Sequence, residues 1–230
     1  MISGPRNVST ALMRSFEARP DTEVVDEPLY AAYLARTGLE HPGREDILAS
    51  QPVDYRQALQ ALAAGTGALK YEKHMAHHLL ESDDLRWLEH CRVGLLLRHP
   101  RAVVASYARV REDPVPEDLG FLQQLRVLEA LRALGRAPVV VHSERLLQDP
   151  PKILRRLCEA WDIPWTEAML RWSAGPRQSD GVWAPHWYAS VEASTGFGPP
   201  SATEPMVPRR LESVVDALMP AYEAMLPLAV

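Results

Sequence analysis

The stretch ISGPRNVSTALMRSF, from Ile2 to Phe16, decides the fold that we expect. A few strand-like residues lead into a turn at Gly4 and Pro5, and small hydroxylic residues then open a helix with an apolar side. Backbone N–H groups at a helix start have no partner inside the helix and lie at the positive end of its dipole. The stretch therefore predicts an anion-binding loop between a strand and a helix.

Three side chains, those of Arg6, Ser9 and Thr10, would add hydrogen-bond donors to this loop. The alternative is that Ser9 and Thr10 only cap a surface helix. The phosphate loop of nucleotide hydrolases needs Gly, Lys and Ser or Thr at the fifth to seventh positions after its first Gly. Counted from Gly4, these positions hold Ser9, Thr10 and Ala11, so that pattern is absent.

Length and bulk composition predict one domain over residues 1–230. The Gly, Pro and Ser content of residues at about 173–205 predicts a loop-rich lid segment within it. The 230 residues are 47% hydrophobic, which is enough for one substantial core. The net charge is -5 and the 25 Lys and Arg residues form no basic run, so we expect neither nucleic acid nor a membrane as partner. Two cysteines and no recognisable signal peptide predict a cytoplasmic protein.

Apolar runs alternate with helical patterns along most of the chain, which predicts an α/β fold with a mostly parallel sheet. The predicted later strands cover residues 23–25, 68–71, 93–97 and 138–141. Residues 37–53 are expected to be irregular. In such a sheet the carboxyl ends of the strands face the ligand crevice, so residues directly after a strand are the first candidates for chemistry.

Two possible general bases follow predicted strands. Glu27 comes after residues 23–25, whereas its neighbour Asp26 is interpreted as a helix cap. His74 follows the next strand and has a pKa in the useful range. His74 has the i, i+3 and i, i+4 spacing of metal ligands to His77 and His78, but no carboxylate or thiol is placed to complete a set, so no metal is expected.

A second anion site is predicted after residues 93–97. Arg98 stands at the strand end, Pro100 suits the first position of a helix, and Ser106 lies two turns along that helix. Two anion sites in one sheet predict a ligand with separated phosphates.

These two motifs resemble the sulfotransferase superfamily, which has a three-layer P-loop NTPase-like α/β fold with a central sheet flanked by helices. Its first signature holds the 5'-phosphosulfate of 3'-phosphoadenosine 5'-phosphosulfate, and its second holds the 3'-phosphate through Arg and Ser. The second signature is similar to Arg98 and Ser106. The first is similar to the following residues: Pro5, Arg6, Asn7, Val8, Ser9 and Thr10. Val8 stands where the family usually has Gly, which restricts the backbone there.

Weaker similarities extend the resemblance. Arg177, Gly181 and Trp183 resemble the late loop that closes over the donor. Some branches use a glutamate base like Glu27, which we favour, and others a histidine like His74.

The resemblance implies transfer of a sulfuryl group to a hydroxyl, or less readily an amine, of a small-molecule acceptor, without a metal. Arg6 would stabilise the charge on the leaving phosphate. Two alternatives are kept open: a P-loop nucleotide phosphotransferase, and a non-catalytic nucleotide-binding module on the same fold.

Overall fold

The computed structural model describes residues 1–63 and 69–230. The strands are β1 (Ile2–Ser3), β2 (Thr22–Asp26), β3 (Leu69–Met75), β4 (Gly94–Leu97) and β5 (Val139–His142). The α-helices are α1 (Ser9–Glu17), α2 (Tyr30–Thr37), α3 (Arg44–Ser50), α4 (Tyr55–Ala63), α5 (Pro100–Tyr107), α6 (Phe121–Ala133), α7 (Ser143–Gln148), α8 (Pro150–Ala160), α9 (Ala184–Trp187), α10 (Ala189–Glu192) and α11 (Glu212–Met225).

The described residues group into two compact units. Unit 1 comprises residues 1–9, 80–165 and 199–230, and unit 2 comprises residues 10–79 and 166–198. The expectation of a single domain over residues 1–230 stays a prediction.

Unit 1 is built on three parallel strands in the order β1, β4, β5. Leu95 of β4 lies opposite Ile2 of β1 and Val140 of β5. All three side chains are at most 2% exposed, as expected for strands covered on both faces. The buried strand predicted at residues 93–97 is therefore confirmed. Helix α11 packs against α5 and α6.

Unit 2 contains the parallel pair β2 and β3, in which Asp26 lies opposite Lys73. Phe16 of α1 stacks on Tyr71 of β3 with 4.2 Å between ring centroids. Both rings are almost fully buried, so this contact joins helix and strand in the core of the unit.

Several elements differ from the sequence prediction. Residues 37–53 contain α3, whose first turn carries two acidic residues at the positive end of the dipole and whose Ile47 is fully buried. Strand β3 continues to Met75, and its residues 69–73 pair with the whole of β2. Ala68, predicted in this strand, lies outside the described residues. The lid segment predicted at residues 173–205 contains α9 and α10.

Within residues 1–63 and 69–230, none of the helices combines the length and the apolar character that crossing a bilayer requires.

A methyl group added at Gly4 would collide with the backbone carbonyl oxygen of Leu119. We expect Gly4→Ala to lower the free energy of unfolding by about 1–3 kcal/mol, because backbone atoms must move to make room. Gly198 has open space around it, so Gly198→Ala is the matched control, with an expected change within about 0.5 kcal/mol. Urea denaturation measures both, and equal stability of the two variants would contradict the prediction.

Candidate active site

Residues 4–8 connect β1 to α1 in a strained loop. Arg6 has a φ of 61° and Val8 a φ of 57°, in the left-handed region that β-branched residues avoid. Asn7 holds the loop in place: its side chain is buried and donates to the carbonyl oxygen of Leu96 at 3.3 Å. The Ser143 hydroxyl donates to the backbone oxygen of Asn7 at 3.2 Å. Strain that neighbouring contacts maintain is typical of ligand-binding loops.

Three predicted anion-binding side chains lie together in unit 1. The Nε of Arg6 donates to the hydroxyl of Ser106 at 3.0 Å. The Nη1 of Arg98 donates to the backbone oxygen of Arg6 at 2.6 Å, and its Nε contacts Glu144 at 3.3 Å. Among the described residues, no carboxylate lies within ion-pair distance of Arg6. The cluster therefore carries excess positive charge.

Arg109 adds a third guanidinium near this cluster. Partial loss of solvation, followed by the charges of Arg98 and Arg109, lowers the pKa of Arg6. An anion would relieve this repulsion between like charges. Arg109 lies in the turn that follows α5, three residues after Ser106, and the sequence interpretation missed it.

The start of α5 matches its prediction. Pro100 is the first residue of the helix, and the ring Nδ1 of His99 accepts a hydrogen bond from the Arg101 N–H at 3.2 Å. Arg98 thus directly precedes a capped helix start.

The start of α1 carries two further predicted residues, Ser9 and Thr10. Ser9 is 8% exposed and Thr10 is partly exposed, as is Pro5 in the preceding loop. Their roles in ligand binding stay predictions.

Unit 2 contains a buried cluster of charges around Lys73. The Lys73 ammonium lies 2.8 Å from Asp26 Oδ1, 2.5 Å from Glu27 Oε1 and 2.7 Å from the Tyr188 hydroxyl. Lys73 and Asp26 are each 1% exposed at their side chains. A buried ion pair needs good geometry to offset the loss of hydration, and here all three ammonium protons have an acceptor.

Glu27 is the least buried side chain of this cluster. Its side chain is 10% exposed, and its φ of 40° also lies in the left-handed region. Burial raises the pKa of Glu27, the charge of Lys73 opposes this rise, and the charge of Asp26 reinforces it. A carboxylate with a raised pKa at the end of a strand has the properties of a general base.

His74, the other candidate base, lies inside β3 and is 3% exposed. Its Nε2 is 3.0 Å from Glu72 Oε2. Burial lowers the pKa of His74 despite this contact. Its role as a base stays a prediction.

The sequence interpretation was wrong about Asp26 and missed Tyr188. Asp26 does not cap a helix: it accepts from Lys73, from the Tyr188 hydroxyl at 2.7 Å and from the Gly181 N–H at 3.2 Å. A short polar side chain before a helix usually caps it, but α2 starts four residues later, beyond its reach. No sequence signal indicated the contacts of Tyr188 with Lys73 and Asp26, because both partners are more than 100 residues away in sequence.

The late residues predicted to contact the donor have partners within unit 2. Trp183 is 1% exposed, and its indole N–H donates to Tyr188 at 3.2 Å, so it belongs to the core. A methyl group at Gly181 would collide with the Trp183 ring. Arg177 donates to the Ser173 carbonyl at 2.5 Å and lies 3.6 Å from Glu17. Their direct contact with a donor stays a prediction.

The family model described as "Sulfotransferase domain" matches residues 1–229. The chain therefore belongs to the sulfotransferase domain family, and the predicted resemblance is confirmed. Two curated relatives come from Arabidopsis thaliana. Branched-chain-amino-acid aminotransferase-like proteins 1 and 2 are 36% and 33% identical over 222 residues. The match covers 96% of this chain but only 40% of each relative.

Solved sulfotransferase domains share the fold. The sulfotransferase domain of the Synechococcus PCC 7002 olefin synthase has a TM-score of 0.52 and 19% identity, covering 98% of this chain and 92% of that one. The sulfotransferase from Alicyclobacillus acidocaldarius has a TM-score of 0.57 and 15% identity, covering 98% and 94%. The predicted P-loop-like α/β fold is confirmed.

No group of three or more metal-ligating side chains was found in the part of the chain that the structure describes.

Glu27→Gln should stabilise the protein increasingly as the pH rises. Because the folded pKa of Glu27 lies above its ordinary value of 4.5, its favourable contribution is present below that value and is lost as the pH rises through the folded pKa. Gln cannot ionise, so the variant should match wild type near pH 4 and exceed it at pH 8. Urea denaturation at both pH values measures this difference.

The matched control is Glu23→Gln, since Glu23 is an exposed glutamate of β2, the strand that directly precedes Glu27. A stability difference for Glu27→Gln that stays constant with pH, as for the control, would show that Glu27 titrates normally.

Proposed function

We propose that the chain transfers a sulfuryl group from 3'-phosphoadenosine 5'-phosphosulfate to a hydroxyl group of a small-molecule acceptor, and less readily to an amine. The observation that carries this proposal is the contact of Arg6 with Ser106 and Arg98, because it unites the two sequence motifs in one cationic cluster. Family membership supports sulfotransferase activity in general. The donor and the acceptor are our inference.

The cationic cluster fits a bisphosphorylated donor. Arg6 has no carboxylate partner among the described residues, and repulsion from Arg98 contributes to its lowered pKa, so phosphate oxygens would replace missing counter-charge. Helix α1 starts directly after the loop and adds unpaired backbone N–H groups. The bound donor would supply the sulfuryl group and leave as the bisphosphate.

We assign Glu27 as the general base that takes the proton from the hydroxyl group of the acceptor. Its carboxylate has a raised proton affinity, and the positively charged Lys73 lies beside it. General-base assistance typically contributes about 100- to 10,000-fold to a rate. Arg6 would stabilise the negative charge that develops on the phosphate side.

The names of the curated relatives do not lead us to propose aminotransferase chemistry for this chain. Imine formation needs a neutral lysine amine. Lys73 lies between Asp26 and Glu27, whose charges raise its pKa well above the ordinary value despite burial, so its amine stays protonated. The chain also spans only 40% of the length of those relatives.

Adenosine 3',5'-bisphosphate should bind the purified protein, and Arg98→Ala should weaken this binding about 10- to 100-fold. The estimate reflects loss of charge-assisted hydrogen bonds of about 1.5–3 kcal/mol. Isothermal titration calorimetry measures the affinity. Arg101→Ala is the control, because Arg101 is committed to a two-bond contact with Glu212. Absence of measurable binding would overturn the donor assignment.

Glu27→Gln should reduce sulfuryl transfer about 100- to 10,000-fold while leaving bisphosphate affinity within about twofold. The measurement is transfer of label from a ³⁵S-labelled donor to a panel of alcohols, phenols and amines. Bisphosphate binding without transfer to any member of the panel would favour a non-catalytic binding module. Transfer that is insensitive to Glu27→Gln would exclude Glu27 as the base.

A further inference from the structure

The hydroxyl of Tyr188 lies at the centre of the buried cluster of unit 2. It accepts from Lys73 at 2.7 Å, accepts from the Trp183 indole at 3.2 Å and donates to Asp26 at 2.7 Å. A phenol has one donor and two acceptor positions, so its hydrogen-bonding capacity is filled. Tyr188 itself is 4% exposed.

The two carboxylates of this cluster accept different numbers of hydrogen bonds. Asp26 accepts three hydrogen bonds, from Lys73, Tyr188 and the Gly181 N–H. Glu27 accepts at Oε1 from Lys73, which also serves the other two acceptors. A carboxylate that accepts more hydrogen bonds holds its negative charge more firmly. The geometry thus favours Asp26 as the permanent anion and Glu27 as the group that takes up a proton.

We propose that Tyr188 is a positioning residue that holds Asp26 and Lys73 in this arrangement and so makes Glu27 the proton acceptor of the cluster. Its catalytic consequence rests on the proposed role of Glu27 as the base. The segment around Tyr188 thus contributes the hydroxyl that binds both Asp26 of β2 and Lys73 of β3.

Two other titratable groups near Lys73 are kept in their neutral form by burial. Burial raises the pKa of Tyr71, and it lowers the pKa of His78 well below the ordinary value. The charge balance of the cluster therefore depends on Asp26, Glu27 and Lys73.

Two substitutions should shift the protonation of Glu27 in opposite directions. Tyr188→Phe keeps the ring volume but removes the hydroxyl that donates a hydrogen bond to Asp26. Asp26 should then bind Lys73 more closely, which weakens the hydrogen bond from Lys73 to Glu27 and raises the pKa of Glu27. In Asp26→Asn a neighbouring negative charge disappears, so the pKa of Glu27 falls. A tyrosine that only filled space would give no shift in Tyr188→Phe.

The test is a pH titration of ¹³C-carboxyl-labelled glutamate by NMR, with the Glu27 signal assigned from its loss in Glu27→Gln. Tyr222→Phe is the matched control, because Tyr222 is another buried tyrosine whose hydroxyl bonds a side chain, His142, at 3.0 Å. We expect a higher titration midpoint for Glu27 in Tyr188→Phe, a lower one in Asp26→Asn and the wild-type value in Tyr222→Phe.

Equal midpoints in Tyr188→Phe and Tyr222→Phe would overturn the proposal, as would a rise in Asp26→Asn. Should Tyr188→Phe fail to fold, Trp183→Phe removes one hydrogen bond from the same hydroxyl and must then shift the Glu27 midpoint. The titration uses neither donor nor acceptor. A failed proposal of sulfuryl transfer would therefore leave this result standing, and a failed titration would leave bisphosphate binding and transfer untouched.

Discussion

Unit 2 depends on one buried ammonium group, that of Lys73, between two carboxylates. Removing an ion from water costs several kcal/mol even after relaxation, and only close geometry and additional hydrogen bonds offset this. Asp26 and Lys73 meet because β2 and β3 pair in the register that places them opposite each other. A slip of one residue would turn Lys73 to the other face of the strand. Register and charge cluster therefore support each other.

Backbone strain coincides with the proposed chemistry in both units. Of the four described residues with positive φ that are not glycine, three lie here, namely Arg6 and Val8 in unit 1 and Glu27 in unit 2, and the fourth is Asp162. Such positions persist only where surrounding contacts hold them, at a cost of about 1–3 kcal/mol each. Asn7 holds the loop of unit 1, and the Gln51 amide donates to the backbone oxygen of Glu27 at 3.1 Å. These contacts fix where Arg6 and Glu27 point.

Local sequence patterns predicted the features that depend only on neighbouring residues. The glycine and proline turn, the helix start and the wholly apolar strand before Arg98 could be read directly, because each follows from neighbouring residues. The second motif placed Arg98 and Ser106 at one helix, and the structure joins both to Arg6. Asp26 was misjudged, because its partners come from distant parts of the chain.

Contacts between residues far apart in sequence explain the features that were not predicted. Strand β3 is longer than its apolar run, since pairing with β2 extends it through the charged residues Glu72 and Lys73. Aromatic residues in a segment rich in Gly and Pro indicated packing, but composition cannot show that Tyr188 would bond a lysine 115 residues away. A sequence pattern specifies which side chain is buried more readily than which polar atom it meets.

The charged clusters of the two units, each taken by itself, have opposite electrostatic character. The chain has a net charge of -5, so positive charge for phosphate binding must be concentrated locally, as it is around Arg6 and Arg98. Proton removal needs the reverse: a carboxylate whose proton affinity is raised by burial and by a second anion, here Glu27 beside Asp26. Lys73 limits that rise, because without its charge Glu27 beside Asp26 would stay protonated and could not accept the proton of the acceptor. The proposed base is thus tuned by a balance between one cation and one anion.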